Sequence, residues 1–239
     1  MTPAAAACPP AVLGPEAYAR WRASATGAIT ERLESELILA LAGDVKGLHV
    51  LDVGCGDGAL ALALHERGAR VVGIDASPAM IAAARENARR RGAGIAFAVA
   101  DARRLPFAAA RFDLVTAVTI LCFVADAAPA FREMARALRP GGRLVIGELG
   151  KWSSWAAMRR IRAWLGSRLW RGARFRTACE LRALAAQAGF APEAVRGAVY
   201  YPRFAPAARL LAPCDALPSR LTTFGAAFLA LTAVRREGP

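Results

Sequence analysis

The sequence predicts an α/β fold, a doubly wound and mostly parallel sheet with helices on both faces. Three observations carry that prediction. Short apolar runs alternate with helix-patterned segments between residues 48 and 150, the order that builds a parallel sheet through right-handed crossovers. The first run ends in a glycine-rich turn, V-L-D-V-G-C-G-D-G over Val50–Gly58. The 239 residues are enough to bury the core that one such domain needs.

Taken in order, residues 1–16 are rich in Ala and Pro, with neither a cationic stretch nor a long apolar one, and read as a flexible tail. A single domain over 17–239 follows, opening with a helical segment at 17–47. There Ile29, Leu33, Leu37 and Leu41 recur at helical spacing across Tyr18–Leu41, with Glu31, Glu34 and Glu36 beside them. The core at 48–150 starts with the strand around Asp52 and a helix over Ala59–Arg67. The next strand, Arg70–Ile74, ends at Asp75. Ser77 and Pro78 then supply an N-cap and a first-turn proline for a helix that Gly92 and Gly94 end. Strands follow at Ile95–Ala100 and Phe112–Val118, then a helix over Ala128–Leu138, an R-P-G-G-R turn and a strand over Leu144–Glu148.

After Gly150 the alternation breaks. Residues 151–176 hold eight basic residues, no acid and four of the five tryptophans. On a helical wheel Trp155, Met158, Ile161, Leu165 and Leu169 share one arc, with Arg160, Arg168 and Arg171 opposite. The pattern predicts a basic amphipathic lid that packs its apolar stripe on the domain. A membrane surface or an anionic substrate would suit the same pattern. In 177–239, Thr177 and Glu180 form a capping-box pair for a helix over Thr177–Ala188. A strand near Ala194–Tyr201, a loop with Pro202, Pro206, Pro213 and Pro218, and a strand at Thr223–Val234 complete the chain.

Composition excludes several classes. Hydrophobic residues at 56% against 21% charged rule out general disorder. The five cysteines are scattered without a C-x-x-C pair and only two histidines occur, so neither a disulfide framework nor a metal site is expected, and the thiols suit a cytoplasmic protein. No run reaches the roughly 18 apolar residues that span a bilayer. The net charge is +13, and 30 of the 32 basic residues are arginine. Its distribution is uneven: 151–239 carry fifteen basic and four acidic residues, against seventeen and fifteen before them.

The glycine turn brings bare backbone against a ligand that a Cβ would hold away. Asp52 beside it disfavours a phosphate and suits an ammonium group or other donors. The turn alone leaves alternatives, because Gly54-x-Gly56-x-x-Ala59 also fits the dinucleotide fingerprint. Asp75, at the tip of the second strand, is placed to accept both hydroxyls of an adenosine ribose.

Five segments together resemble the class I S-adenosylmethionine-dependent methyltransferases: L-D-V-G-C-G-D-G, G-I-D-A-S, A-D-A-R-R-L-P-F, F-D-L-V and L-R-P-G-G-R-L. They are most similar to the branch holding the ubiquinone and menaquinone C-methyltransferases and many small-molecule enzymes. The resemblance implies a Rossmann-like, seven-stranded sheet whose last strand runs antiparallel between its neighbours. It makes 48–150 the cofactor-binding core, with S-adenosylmethionine as cofactor. Gly54, Gly56 and Gly58 would approach its methionine part and Asp52 its ammonium. Asp75 and Ala76 would meet the ribose, Met80 the adenine face, Asp101 and Ala102 the adenine edge. Thr119 follows the fourth strand at the carboxyl edge of the sheet, where ligands of open α/β sheets bind. Tyr18, with Trp21 and Gly27, resembles a flap that closes over the cofactor.

The acceptor side is less marked. Many relatives carry histidine after the fourth strand, where this chain reads T-I-L-C-F-V. No catalytic residue is assigned; Glu148, closing the fifth strand, is the candidate base, and Cys122 reads as a buried thiol. Asp113, at the other sheet edge, reads as structural. The expected function is methyl transfer by in-line displacement to a small-molecule acceptor, anionic or amphipathic. A nucleic-acid methyltransferase using the basic C-terminal third is the alternative; the base-gripping N-P-P-Y-type motif is missing. A nicotinamide-dependent oxidoreductase would not predict Asp101 with L-P-F.

Overall fold

The computed structural model describes residues 14–237. The tail expected at 1–16 lies outside the described residues up to 13, but Pro15 and Glu16 already belong to a helix, α1 (Pro15–Ala23). A second helix, α2 (Ala25–Ala42), follows at once. The sequence pattern predicts one helix here. Ser24 breaks it in an extended conformation and caps α2, its side chain accepting from Gly27 N. A Cβ on Gly27 would overlap the Trp21 carbonyl, so the kink requires the glycine.

The sheet has seven strands in the order β3-β2-β1-β4-β5-β7-β6. They are β1 (His49–Val53), β2 (Arg70–Asp75), β3 (Ala96–Val99), β4 (Phe112–Val118), β5 (Leu138–Leu149), β6 (Phe190–Ala198) and β7 (Phe228–Arg235). β1 to β5 are parallel, and β7 runs antiparallel between β5 and β6. This is the Rossmann-like, doubly wound topology that the sequence predicts.

Side chains alternate across the sheet and build two cores. Val50 and Leu114 join one core with α2, α3 (Ala59–Glu66) and α4 (Pro78–Arg90). Leu51 and Val115 join the other with α5 (Ala128–Ala137) and α8 (Ala178–Gln187). Ser77 caps α4 through Met80 N, and Thr177 with Glu180 forms the predicted capping box of α8.

Four local expectations change. The R-P-G-G-R segment is a bulge inside β5: Phe112 pairs with Leu138 and Leu114 with Arg143, so the residues between loop out. β6 starts at Phe190, earlier than the pattern suggests, because Pro192 sits at a register shift on an edge strand. The proline-rich stretch is helical, as α9 (Ala205–Leu211), a 3-10 turn (Ala212–Cys214) and α10 (Ala216–Leu221). Its prolines 206, 213 and 218 fall in first turns, where a missing N–H costs nothing.

The basic insertion is not one amphipathic helix packed on its apolar stripe. It is α6 (Ser154–Trp164) and a short α7 (Arg168–Arg171), separated at Gly166. Trp155 and Ala156 are buried, whereas Met158, Ile161 and Leu165 face outward.

Candidate cofactor and acceptor site

β1 and β4 are neighbours, yet the chain leaves β1 towards β2 and β3 before it returns to β4. Their carboxyl ends flank the crevice at this switch point, where open α/β sheets bind ligands. Asp52 and Thr116 are register partners there, and Thr116 Oγ1 donates to Asp52 Oδ1 at 2.7 Å. Asp52 Oδ2 is buried without a hydrogen-bond partner. Burial pushes this carboxyl up to about 7; the Thr116 hydrogen bond opposes the shift and the nearby Asp75 charge adds to it. A lone acceptor in such a place fits a donor-bearing cation.

The glycine turn wraps the end of β1. Gly54 N and Cys55 N both donate to Ile74 O, at 2.7 and 2.8 Å, fixing the turn on β2. Gly54 has φ +71°, and a Cβ on it would collide with Ile120. Gly56 has φ +54° with open space where its Cβ would stand, room that a ligand can use. Gly58 N-caps α3. Asp75 ties turn and helix together: its Oδ2 accepts from Gly56 N at 3.0 Å and its Oδ1 from Ser77 N at 2.8 Å. Each oxygen keeps a further lone pair for a hydroxyl donor.

The remaining predicted residues surround this cradle. Ala76 is exposed beside Asp75, and Met80 is buried on the first turn of α4. Ala100 N donates to Asp75 O, which sets Asp101 and Ala102 next to the β2 tip. Asp101 is half-exposed and grips Arg103 at 2.6 Å, and those hydrogen bonds hold its carboxyl below the usual range. Thr119 has φ +55°, a strained value for a β-branched residue, and its N–H bonds Gly147 O at 2.7 Å. Asp113, by contrast, sits at the amino edge, where His49 N and Arg139 hold it.

α1 reaches the cradle through residues that sequence reasoning did not single out. Arg22 forms ion pairs with Asp57 of the glycine turn and, at 3.1 Å, with Glu31 of α2. Its guanidinium also lies 4.7 Å from the Tyr18 ring centre, and Tyr18 stacks on Trp21. Burial raises the Tyr18 phenol, with Glu31 and Glu34 adding to the shift.

On the acceptor side, Glu148 is fully buried and both its oxygens are engaged. Arg176 Nη1 donates to Oε2 at 2.9 Å and Cys122 N to Oε1 at 3.2 Å. Burial pushes its carboxyl up to about 7 against the pull of Arg176. Cys122 is buried too, its thiol raised well above the usual range by burial first and Glu148 second. Beyond them, Arg159 of α6 stands 4.7 Å from the Trp170 ring centre and 5.3 Å from that of Trp155, with Nη1 buried and unpartnered. Burial lowers this guanidinium to about 10, and Glu34 of α2 opposes the shift. Glu34 is in turn pushed up to about 8 by burial, with Arg159 pulling the other way.

Known proteins resemble this chain in sequence and in fold. Residues 51–146 match the sequence family described as "Methyltransferase domain". An uncharacterised protein of Mycobacterium tuberculosis is 36% identical over 218 residues, covering 91% of this chain and 71% of that one. Demethylmenaquinone methyltransferase of Thermus thermophilus is 48% identical over 101 residues, 41% of this chain and 46% of that one. The crystal structure of magnesium protoporphyrin IX methyltransferase from Synechocystis, solved with bound S-adenosylhomocysteine, superposes with a TM-score of 0.67 at 19% identity, covering 91% and 92% of the two chains.

The chain belongs to the class I S-adenosylmethionine-dependent methyltransferases.

S-adenosylmethionine is therefore the cofactor of this methyltransferase, and the residues present fit it. The orphaned Asp52 Oδ2 matches an ammonium, the open space at Gly56 matches a ligand against bare backbone, and Asp75 has lone pairs to spare. Among the described residues of the methyltransferase no cluster of His, Cys, Asp or Glu could hold a metal ion, and no helix is long and apolar enough to cross a membrane.

Proposed function

We propose that this methyltransferase methylates a small-molecule acceptor, amphipathic and carrying an acidic group, and that the cofactor sits over the glycine turn. The observation that carries the cofactor placement is the buried, unpartnered Asp52 Oδ2 at the switch point. A phosphate-bearing nucleotide would be repelled there, whereas an amino-acid ammonium would be held. Gly54, Gly56 and Gly58 leave room for the methionine part, Asp75 and Ala76 take the ribose, and Met80, Asp101 and Ala102 take the adenine. Tyr18 and Thr119 close the two sides. Arg22, fixed by Asp57 and Glu31, latches α1 over the turn.

When bound, S-adenosylmethionine supplies the methyl group and a neutral thioether leaving group. The chain has only to orient the acceptor, exclude water and accept its proton. Arg159 supports the acidic-acceptor reading, being flanked by two indoles with one nitrogen unsatisfied. Glu148, the base suggested by sequence, we assign a positioning role, because both its oxygens hold the Cys122 turn and the Arg176 segment in place. The relative named for demethylmenaquinone methylation favours a small-molecule acceptor as well. A cytoplasmic location goes with the reading, since Cys55, Cys122, Cys179 and Cys214 are free thiols.

The test is transfer of tritiated methyl from the cofactor into separated metabolite, lipid and RNA extracts. Label in an acidic small molecule or amphiphile supports the proposal. Label confined to RNA would replace it with the nucleic-acid alternative.

A further inference from the structure

The largest unexplained feature of the molecule is how much apolar surface its last third exposes. Of the twelve large hydrophobic residues exposed among those described, eleven lie between Trp152 and Phe224. Trp164 and Leu221 are each 85% exposed and Leu210 75%. Isolated exposed leucines need no explanation, but a concentration of this kind marks an interaction surface.

The two exposed segments are tied to each other. Gly225 N donates to Trp152 O at 2.9 Å, which sets Phe224 beside the start of α6. Trp155 Nε1 donates to Tyr201 O at 2.7 Å, and Arg203 lies 5.6 Å from the Trp155 ring centre, which brings the start of α9 alongside. Trp155 is the side chain that anchors α6. Met158, Ile161 and Leu165 of the expected stripe are left outward, together with Leu217 and Leu221, one helical turn apart on α10.

Charge accompanies the apolar groups. Arg160, Arg162, Arg168, Arg171 and Arg209 are exposed on the same segments. Residues 151–176 contain no acid, and the next one, Glu180, is occupied by Lys151 at 2.9 Å.

We propose that the face formed by α6, α7, α9 and α10 docks on a lipid bilayer bearing anionic headgroups. Such a surface is the partner that satisfies both halves of the pattern. Aliphatic and indole side chains enter the headgroup–acyl boundary while arginines meet the anionic headgroups. A second copy of this chain would set two arginine-rich faces against each other, and like charges repel. A nucleic acid would attract the arginines and stack on Trp152, Trp164, Phe204 or Phe224, but it would leave the other seven of the eleven, all aliphatic, in water. The proposal rests on the surface alone and holds whatever the acceptor is.

The experiment is co-sedimentation of the full chain with vesicles of phosphatidylcholine, with and without phosphatidylglycerol, while tryptophan emission is followed. Two variants accompany it: Trp164→Ser with Leu165→Ser and Leu221→Ser, and Arg160→Gln with Arg168→Gln and Arg171→Gln. S-adenosylhomocysteine affinity, measured on each, shows that it is folded and separates this test from the cofactor reading. The wild type should pellet with the anionic vesicles and shift its emission to the blue. The arginine variant should bind about a hundredfold more weakly, from roughly 1 kcal/mol per arginine at an anionic surface. The apolar variant should lose the emission shift. No binding to anionic vesicles would overturn the proposal. So would equal binding by all three proteins, a wild-type dimer that the apolar variant dissociates, or RNA binding that outcompetes the vesicles.

Discussion

Thr116 donates its hydroxyl to one oxygen of Asp52 across the β1–β4 register and leaves the other oxygen, buried, with no partner. One neutral hydrogen bond does not offset the burial of a carboxylate, so the group rises to about 7. In the proposed reading, the cofactor ammonium completes the unfilled half of that carboxylate. Asp52→Asn should therefore weaken S-adenosylhomocysteine about ten- to a hundredfold, the worth of one charged hydrogen bond.

The same residue sets a pH dependence. Its folded pKa lies above the unfolded value, so its contribution to stability is present in acid and is lost as pH rises through about 7. Without cofactor, Asp52→Asn should be more stable than wild type at alkaline pH, by on the order of 1–4 kcal/mol, and the gap should close in acid. Cofactor affinity of the wild type should fall as pH drops below about 7, because protonation removes the charge that the ammonium needs. Thermal unfolding and calorimetry across this range check both halves.

Asp75→Ala removes the acceptor expected to serve two ribose hydroxyls and should cost about ten- to a hundredfold in cofactor affinity. Asp113→Asn, at the amino edge between His49 and Arg139, should leave that affinity within a few-fold. The reverse order would place the site at the wrong end of the sheet.

Two glycines of one turn should respond differently. Gly54→Ala sets a Cβ into Ile120 at a positive φ and should cost on the order of 2 kcal/mol or more of fold stability. Gly56→Ala meets open space, so its stability cost should be about 1 kcal/mol while cofactor affinity falls well beyond that. Urea unfolding beside calorimetry separates them.

Glu148 and Arg176 form a buried pair 2.9 Å apart. Arg176→Met removes the pull that opposes burial of Glu148, so it should cost up to about 3–5 kcal/mol at alkaline pH, part of it regained as pH falls and the carboxyl protonates. Glu148→Gln keeps the volume and should retain methyl transfer. Loss of transfer with S-adenosylhomocysteine affinity and the unfolding transition unchanged would instead make Glu148 a base.

Much of the fold was legible because its signals are local. The β1–turn–α3 segment, Ser77 before Pro78, and Thr177 with Glu180 each announce themselves within a few residues. The prolines after Tyr201 misled, since a proline in a first turn reads like one in a loop. The apolar arc of α6 misled for the opposite reason: periodicity reports an amphipathic helix but not what covers its apolar face, and here the domain covers Trp155 and little else. In the site, Asp52, the glycine turn and Asp75 were readable from one βαβ unit. Arg22 with Asp57 and Glu148 with Arg176 join distant segments, and no local pattern encodes such pairs.

The central claim is that the switch-point crevice is built for a cofactor bearing an ammonium beside its adenosine. Calorimetric titration of the full-length protein with S-adenosylhomocysteine and, separately, with NAD tests it most directly. Saturable binding of S-adenosylhomocysteine that Asp52→Asn weakens, with no heat from NAD, is the expected result. Binding of NAD, with no binding of S-adenosylhomocysteine at millimolar concentration, would contradict it.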